Sequence, residues 1–181
     1  MSGVWTVPNI ISSIRIIIVP AFVTALLYDR FDYALILFIT AALSDAVDGF
    51  IARAAKQKTR FGAFLDPLAD KFLLITSFII LFAVYGLIPK WLVITVISRD
   101  VIVTLGWFLL YISSHIKKPE PSLIGKAAND LQMLLIVYIL LTVNFPGIPA
   151  PTVWMFIPVA GLTIISGLWY MYRGLQLSNE K

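Results

Sequence analysis

Cysteine is absent from this chain, and histidine occurs once, at His115. The first absence excludes disulfides, thiolate nucleophiles and cysteine-based metal sites. The second excludes a multi-histidine metal cluster within one chain. Charge is scarce as well: Asp, Glu, Lys and Arg supply 13% of the 181 residues, against about 25% in an ordinary globular domain. Apolar residues make up 60%, and the mean hydropathy is +0.92. A soluble helical bundle needs far more polar residues to coat its outside, so the composition points to a polytopic integral membrane protein in a single domain, residues 1–181. The N-terminal "MSGVWTVPN" has neither a charged n-region nor a cleavage site, so no removable signal peptide is expected. The net charge is +4, but the basic residues sit between apolar segments. That placement fits membrane orientation and anionic lipid or phosphate partners, not nucleic acid.

What is present in quantity is apolar sequence in long runs. Six candidate spans lie at about 9–28, 33–54, 63–85, 90–114, 123–143 and 152–173, each near the 20 residues or so that cross a bilayer. The runs do not alternate as barrel strands do, and in lipid a helix satisfies its own backbone. The expected fold is therefore all-α, with six transmembrane helices and a short N-terminal interfacial segment anchored by Trp5. The 2–3 connection carries Arg53, Lys56, Lys58 and Arg60, and the 4–5 connection carries Lys117, Lys118 and Lys126. The opposite side has only Arg30 and Lys90. This bias predicts that both termini and these two connections are cytoplasmic, in a bacterial inner membrane. No internal repeat of the inverted-transporter kind is visible.

Between Leu43 and Lys71 the scarce charges gather. Asp45 and Asp48 stand at i, i+3 and Asp66 and Asp70 at i, i+4, so each pair shares a helix face. Pro67, tolerated in a first turn, places Asp66 near the start of the third helix. A hairpin of the two helices converges four carboxylates at the membrane surface. Unpaired they would repel; a divalent cation resolves this, and oxygen-only ligands select a hard ion such as Mg²⁺, Mn²⁺ or Ca²⁺. Gly49, Ala52 and Gly62 leave room for a bulky nucleotide, and Arg53 suits a forked phosphate contact. The bland alternative is a set of surface ion pairs balancing the basic connection; a lone Asp-x-x-Asp would favour it. A small transporter binding its cation through these carboxylates is the rival from another class. The interfacial position argues against it, because transport sites usually lie near the midplane.

The stretch "DAVDGFIARAAKQKTRFGAFLDPLAD" resembles the signature of the CDP-alcohol phosphatidyltransferase family, D-x2-D-G-x2-A-R-x8-G-x3-D-x3-D, with every fixed position filled. The six-span layout also looks like that family's. The resemblance implies an enzyme that transfers a phosphatidyl group from CDP-diacylglycerol to an alcohol and releases CMP. It implies Mg²⁺ or Mn²⁺, one or two ions, on Asp45, Asp48 and Asp66. Asp70 would be the catalytic base and would also touch metal. It places Gly49, Ala52, Arg53 and Gly62 at the CDP-lipid site, with Asn9 a further candidate there, and it implies a homodimer among membrane lipids.

The acceptor is read from residues outside the signature. "PNIISSIRIIIVP" resembles the start of the glycerol-phosphate-using branch, matching at Pro8, Asn9, Arg15 and Pro20, with Ser12 for threonine. Arg15 is either an acceptor-binding residue or a snorkelling interfacial anchor. Arg99 and Asp100 lie about ten residues into the fourth span, where an ionisable group must be paired or hydrated. Arg99 is an acceptor-site candidate; a buried structural pair is the alternative. "GKAANDLQ" resembles the lysine-rich segment of phosphatidylglycerophosphate synthases at Gly125, Lys126 and Gln132, but has Ala128 and Asn129 where that segment has lysine and threonine. "ISRD", ending at Asp100, looks like single-domain cardiolipin synthases. Acceptor-binding residues are therefore Arg15, Arg99 and Lys126, with glycerol 3-phosphate as first acceptor and phosphatidylglycerol as second. Lys117 and Lys118 are read as positive-inside topology.

Overall fold

Apolar runs of this length fold into helices, and six are present in a computed structural model: α1 (Val7–Leu27), α2 (Phe31–Ala55), α3 (Gly62–Ala83), α4 (Lys90–Ser114), α5 (Leu123–Asn144) and α6 (Val153–Asn179). The structure describes residues 7–55, 62–114 and 122–179, with side chains at 14–44, 69–106 and 122–176. Among the described residues there is no strand. The expected N-terminal interfacial segment, and Lys56, Lys58, Arg60, His115, Lys117 and Lys118, lie outside the described residues. The fourth span's bounds, Lys90–Ser114, coincide with the helix found. The third helix begins at Gly62, within one residue of the expected span, and Asp66 and Pro67 fall just past its first turn, where a proline removes one ladder bond to the carbonyl of residue 63.

Among the described residues, two helical segments, Leu123–Asn144 and Val153–Gln176, are long and apolar enough to cross a membrane. The outside of the molecule is apolar as well: Ile17, Ile36, Leu43, Ile94, Leu105, Leu134, Ile165 and Leu168 are all exposed. Such a surface is costly in water and ordinary against lipid. Hydroxyls on the helices are satisfied within the helix itself. Thr40 donates to the Ile36 carbonyl at 2.7 Å, Ser77 to Leu73 at 2.6 Å, Thr95 to Trp91 at 2.8 Å and Thr163 to Val159 at 2.7 Å. Bonding back to the i−4 carbonyl lets a Ser or Thr sit in an apolar setting without a stranded proton.

The chain divides into two units, one of Met1–Tyr85 with Ile136–Ala150 and the other of Gly86–Leu135 with Pro151–Lys181. In the first, α1 packs on both α2 and α3. Its core holds Phe22 and Leu26 of α1, Phe38 and Ala41 of α2, and Leu73, Phe78 and Leu81 of α3. The Phe22 and Phe38 rings meet at 5.6 Å. In the second, α4 packs on α6, and Leu92, Val96, Ala128, Phe156 and Val159 are buried.

The α1–α2 turn shows how a short connection is held. The Arg30 N–H bonds to the Ala25 carbonyl at 2.8 Å and the Asp29 N–H to the Leu26 carbonyl at 2.9 Å, the paired closure of a helix C-terminus. That closure needs a left-handed residue, and Asp29 supplies it at φ 58°. The Tyr85 hydroxyl, beyond the end of α3, shares its proton between the Leu26 carbonyl and Asp29 Oδ1, the latter at 2.8 Å. Its ring meets Phe31 edge-on at 4.8 Å. Asn144 donates to the Phe31 carbonyl at 2.9 Å, tying the end of α5 to the same turn. Gly86, at φ 63°, takes the chain away from α3 in a conformation that side-chain-bearing residues resist.

Candidate active site

Asp70 is the last aspartate of the acidic signature, and α3 carries it between Ala69 and Lys71. Ala69 and Leu73 are fully buried, which turns the neighbouring face of α3 into the unit core. Because α1 packs along α3, Arg15 reaches Asp70 from across 55 residues. Its Nη1 donates to Asp70 Oδ1 at 2.8 Å. Exposure is uneven between the two: the Arg15 side chain is 0% exposed and that of Asp70 25%. A charged hydrogen bond of this length is among the stronger ones. A buried guanidinium in an apolar helix pair requires such an anion.

Asp45, Asp48, Gly49, Ala52 and Arg53 lie in the C-terminal part of α2, Gly62 and Asp66 in the N-terminal part of α3, and Asn9 near the start of α1. Their side chains lie outside the described residues. The backbone puts the two aspartate pairs on two helices joined by one short connection, and the donor set fits a hard divalent ion: four carboxylates with no sulfur or imidazole among them. Among the described residues no group of three acidic or histidine side chains is gathered.

The second unit contains a separate polar network. Arg99 and Asp100 of α4 are buried, 8% and 7% exposed. Arg99 Nη1 donates to Asp100 Oδ1 at 2.6 Å and lies 3.5 Å from Asn129 Oδ1 on α5, while Nε donates to Ser166 Oγ on α6 at 2.9 Å. The guanidinium also stands 5.8 Å from the centre of the Tyr170 ring. Ser166 passes its proton to the Thr163 carbonyl at 3.0 Å, and Gln132 donates to Thr163 Oγ1 at 2.9 Å. At the start of α5, Ser122 accepts from the Gly125 N–H at 2.9 Å as an N-cap, and the Ser122 N–H donates to the Tyr170 hydroxyl at 3.1 Å. Gly125 has no room for a side chain, since an added Cβ would stand 2.9 Å from both Ser122 Oγ and Tyr170. Gly167 similarly lets the Arg99 stem approach α6, where a Cβ would lie 3.2 Å from Arg99 Cγ. Lys126 is exposed on α5.

Of the candidates with described side chains, the structure brings Arg15 to Asp70 and places Arg99 in a network of Asp100, Asn129 and Ser166. Sequence reasoning missed Ser166, Thr163 and Tyr170. Two small hydroxyl residues and an aromatic on an apolar helix carry no signal by themselves. The one clue was that a buried Arg99 needs more acceptors than Asp100 alone.

Helices with apolar outer faces fit a membrane-associated protein. The chain is a member of the CDP-alcohol phosphatidyltransferase family, whose model matches residues 5–169. It is 32% identical over 198 aligned positions to the CDP-diacylglycerol–glycerol-3-phosphate 3-phosphatidyltransferase of Bacillus subtilis, covering 97% of this chain and all (100%) of that one. It is 36% identical over 127 positions to a putative cardiolipin synthase of Mycobacterium bovis, covering 70% of this chain and 60% of that one. Over 126 positions it is 40% identical to the cardiolipin synthase (CMP-forming) of Rattus norvegicus, covering 69% of this chain and 40% of that one. The match to the two cardiolipin synthases thus spans 60% or less of their length.

Proposed function

We propose that this chain is a single catalytic domain that transfers a phosphatidyl group from CDP-diacylglycerol to glycerol 3-phosphate, releasing CMP and forming phosphatidylglycerophosphate. The observation that carries the reading is the last signature aspartate, Asp70, kept partly open to solvent with a buried arginine bonded behind it. The acceptor's hydroxyl oxygen forms a bond to the phosphorus bearing diacylglycerol. The bond from that phosphorus to the bridging oxygen breaks, and CMP departs with the electron pair. Asp70 takes the hydroxyl proton as general base. Asp45, Asp48 and Asp66, with Asp70 beside them, would hold Mg²⁺ or Mn²⁺. Such an ion, when bound, would supply charge neutralisation to the pyrophosphate and the leaving CMP. Arg53 binds phosphate, Gly49, Ala52 and Gly62 leave space for the nucleotide, and Asn9 stands near it.

The six helices cross the membrane, with both termini and the active site cytoplasmic. The apolar outer faces and the basic 2–3 and 4–5 connections support this reading. The acyl chains then stay in lipid while the polar acceptor arrives from water. The protein acts as a homodimer. Lys126 serves the acceptor's phosphate, while the buried Arg99 is held by Asp100 and Ser166. A second reading, with phosphatidylglycerol as acceptor and cardiolipin as product, is favoured by the segment around Lys126. Ala128 is fully buried there and Asn129 faces Arg99, so the segment offers little positive charge to a small dianion.

Purified protein given CDP-diacylglycerol and Mg²⁺ or Mn²⁺, with glycerol 3-phosphate or phosphatidylglycerol in parallel, tests both. CMP release with glycerol 3-phosphate alone is the expected result, and release with phosphatidylglycerol alone moves the assignment to the second reading. Absence of CMP with every alcohol would remove the enzyme reading.

A further inference from the structure

We infer that Arg15 is a positioning residue for Asp70 and does not bind the acceptor. The inference rests on Asp70 being the base. Its starting point is the unequal exposure of the pair. The Arg15 side chain has no accessible surface, 0%, whereas the Asp70 carboxylate it bonds is 25% exposed. A residue that binds a soluble phosphate must present its donors to the space the phosphate enters, and Arg15 presents none. A purely structural pair would bury both ends, as Arg99 and Asp100 do at 8% and 9% side-chain exposure. The arrangement at Arg15 instead has a buried cation behind an anion that faces outward.

This geometry suits proton abstraction. A general base must stand within hydrogen-bonding distance of the hydroxyl it deprotonates, in the correct orientation. A carboxylate on a free helix side chain rotates about its last bond. Anchoring Oδ1 through a 2.8 Å charged bond removes that rotation. The anchor is itself rigid. Arg15 issues from the middle of α1, its neighbour Val19 is buried, and the facing Ala69 and Leu73 of α3 are buried as well. The planar guanidinium, with donors in a fixed fork, sets direction where an ammonium would act as a point charge.

Kinetics of three variants test it, each read for kcat and for the KM of both substrates, with CDP-diacylglycerol binding as the check on folding. Asp70→Asn tests the base itself. Near-normal turnover there would remove the base reading, and the positioning role with it. For Arg15→Met the expected result is a kcat lower by about 100-fold, the scale of a misplaced catalytic group, with both KM values unchanged. Arg15→Lys keeps the charge and guards against a Met variant that fails to fold. Its kcat is expected to fall about tenfold, because the fork is lost, again at unchanged KM. A tenfold rise in acceptor KM at unchanged kcat in either Arg15 variant would make Arg15 an acceptor ligand and overturn the inference while leaving Asp70 as base. Wild-type kcat in Arg15→Lys would overturn it too.

Discussion

Among the described residues, each of the two units contains one buried arginine bonded to an aspartate, and the two pairs are built differently. Arg15 and Asp70 are separated by 55 residues and join α1 to α3. Arg99 and Asp100 are neighbours on α4, positions that on a helix do not face each other. Arg99 Nη1 nevertheless reaches Asp100 Oδ1, with its Nε held by Ser166 and its stem given space by Gly167. The first pair has a partly exposed anion; the second is buried and continued by Asn129, Thr163 and Gln132. A buried ion pair of the second kind holds helices together, and breaking it strands a charge. The first kind keeps its carboxylate partly exposed, as the proposed base role requires.

The largest expected effect breaks this comparison at its most exposed point. Asp70→Asn should lower kcat by about 100- to 10,000-fold, the usual span for a general base, while CDP-lipid binding persists. CMP release and lipid retention measure the two separately. The matched change, Asp100→Asn, should leave Arg99 without its carboxylate and act mainly on stability. If Asp100→Asn reduced kcat as far as Asp70→Asn at unchanged stability, the distinction between the pairs would fail.

The next effect belongs to the closed pair. Arg99→Met breaks the buried pair with Asp100 and the Nε bond to Ser166, a change on the scale of about 3–5 kcal/mol for breaking such a pair, visible as a lower thermal midpoint in detergent. Arg99→Lys should lose less, retaining the charge but not the Nε bond to Ser166. A raised acceptor KM at full stability would instead assign Arg99 to the acceptor's phosphate.

How much of this was legible in the sequence follows from the range of each interaction. Helix positions were readable because apolar runs are local, and α4 begins and ends where its run does. The acidic signature was readable because its spacing lies along two helix faces. Arg15 was singled out, but its bond to Asp70 depends on α1 packing against α3, which no local pattern encodes. The same holds for Ser166, 67 residues from Arg99. The start of α3 at Gly62 lies within one residue of where the apolar run began, and Pro67 sits one turn further in than a first-turn proline would.

Gly125 gives a smaller, cleaner test on the closed network. The match to a Gly-Lys segment drew notice to the lysine beside it, yet the glycine has the tighter constraint. Gly125→Ala would press a methyl group to 2.9 Å from Ser122 Oγ and the Tyr170 ring. Overpacking of this kind costs about 1–3 kcal/mol. The shift should be visible in thermal unfolding, and a Tyr170→Phe background, which removes one of the crowding atoms, should recover part of it. Equal losses in both backgrounds would mean that the hydroxyl is not the obstacle.

The smallest expected effect lies apart from both arginines and serves as their reference. Tyr85→Phe removes the hydroxyl shared by the Leu26 carbonyl and Asp29 Oδ1. The Leu26 carbonyl keeps the Asp29 N–H at 2.9 Å, and a phenylalanine ring can still meet Phe31 edge-on. The loss should therefore be near 1 kcal/mol, the net worth of one hydrogen bond, with kcat unchanged. Asp29→Gly acts on the same contact with the opposite backbone sign. Glycine adopts φ near 58° without steric penalty, which offsets the carboxylate lost to Tyr85. In the Tyr85→Phe background that carboxylate has already lost its donor, so Asp29→Gly should raise the thermal midpoint there. A further drop would show that Asp29 stabilises the turn through contacts other than Tyr85.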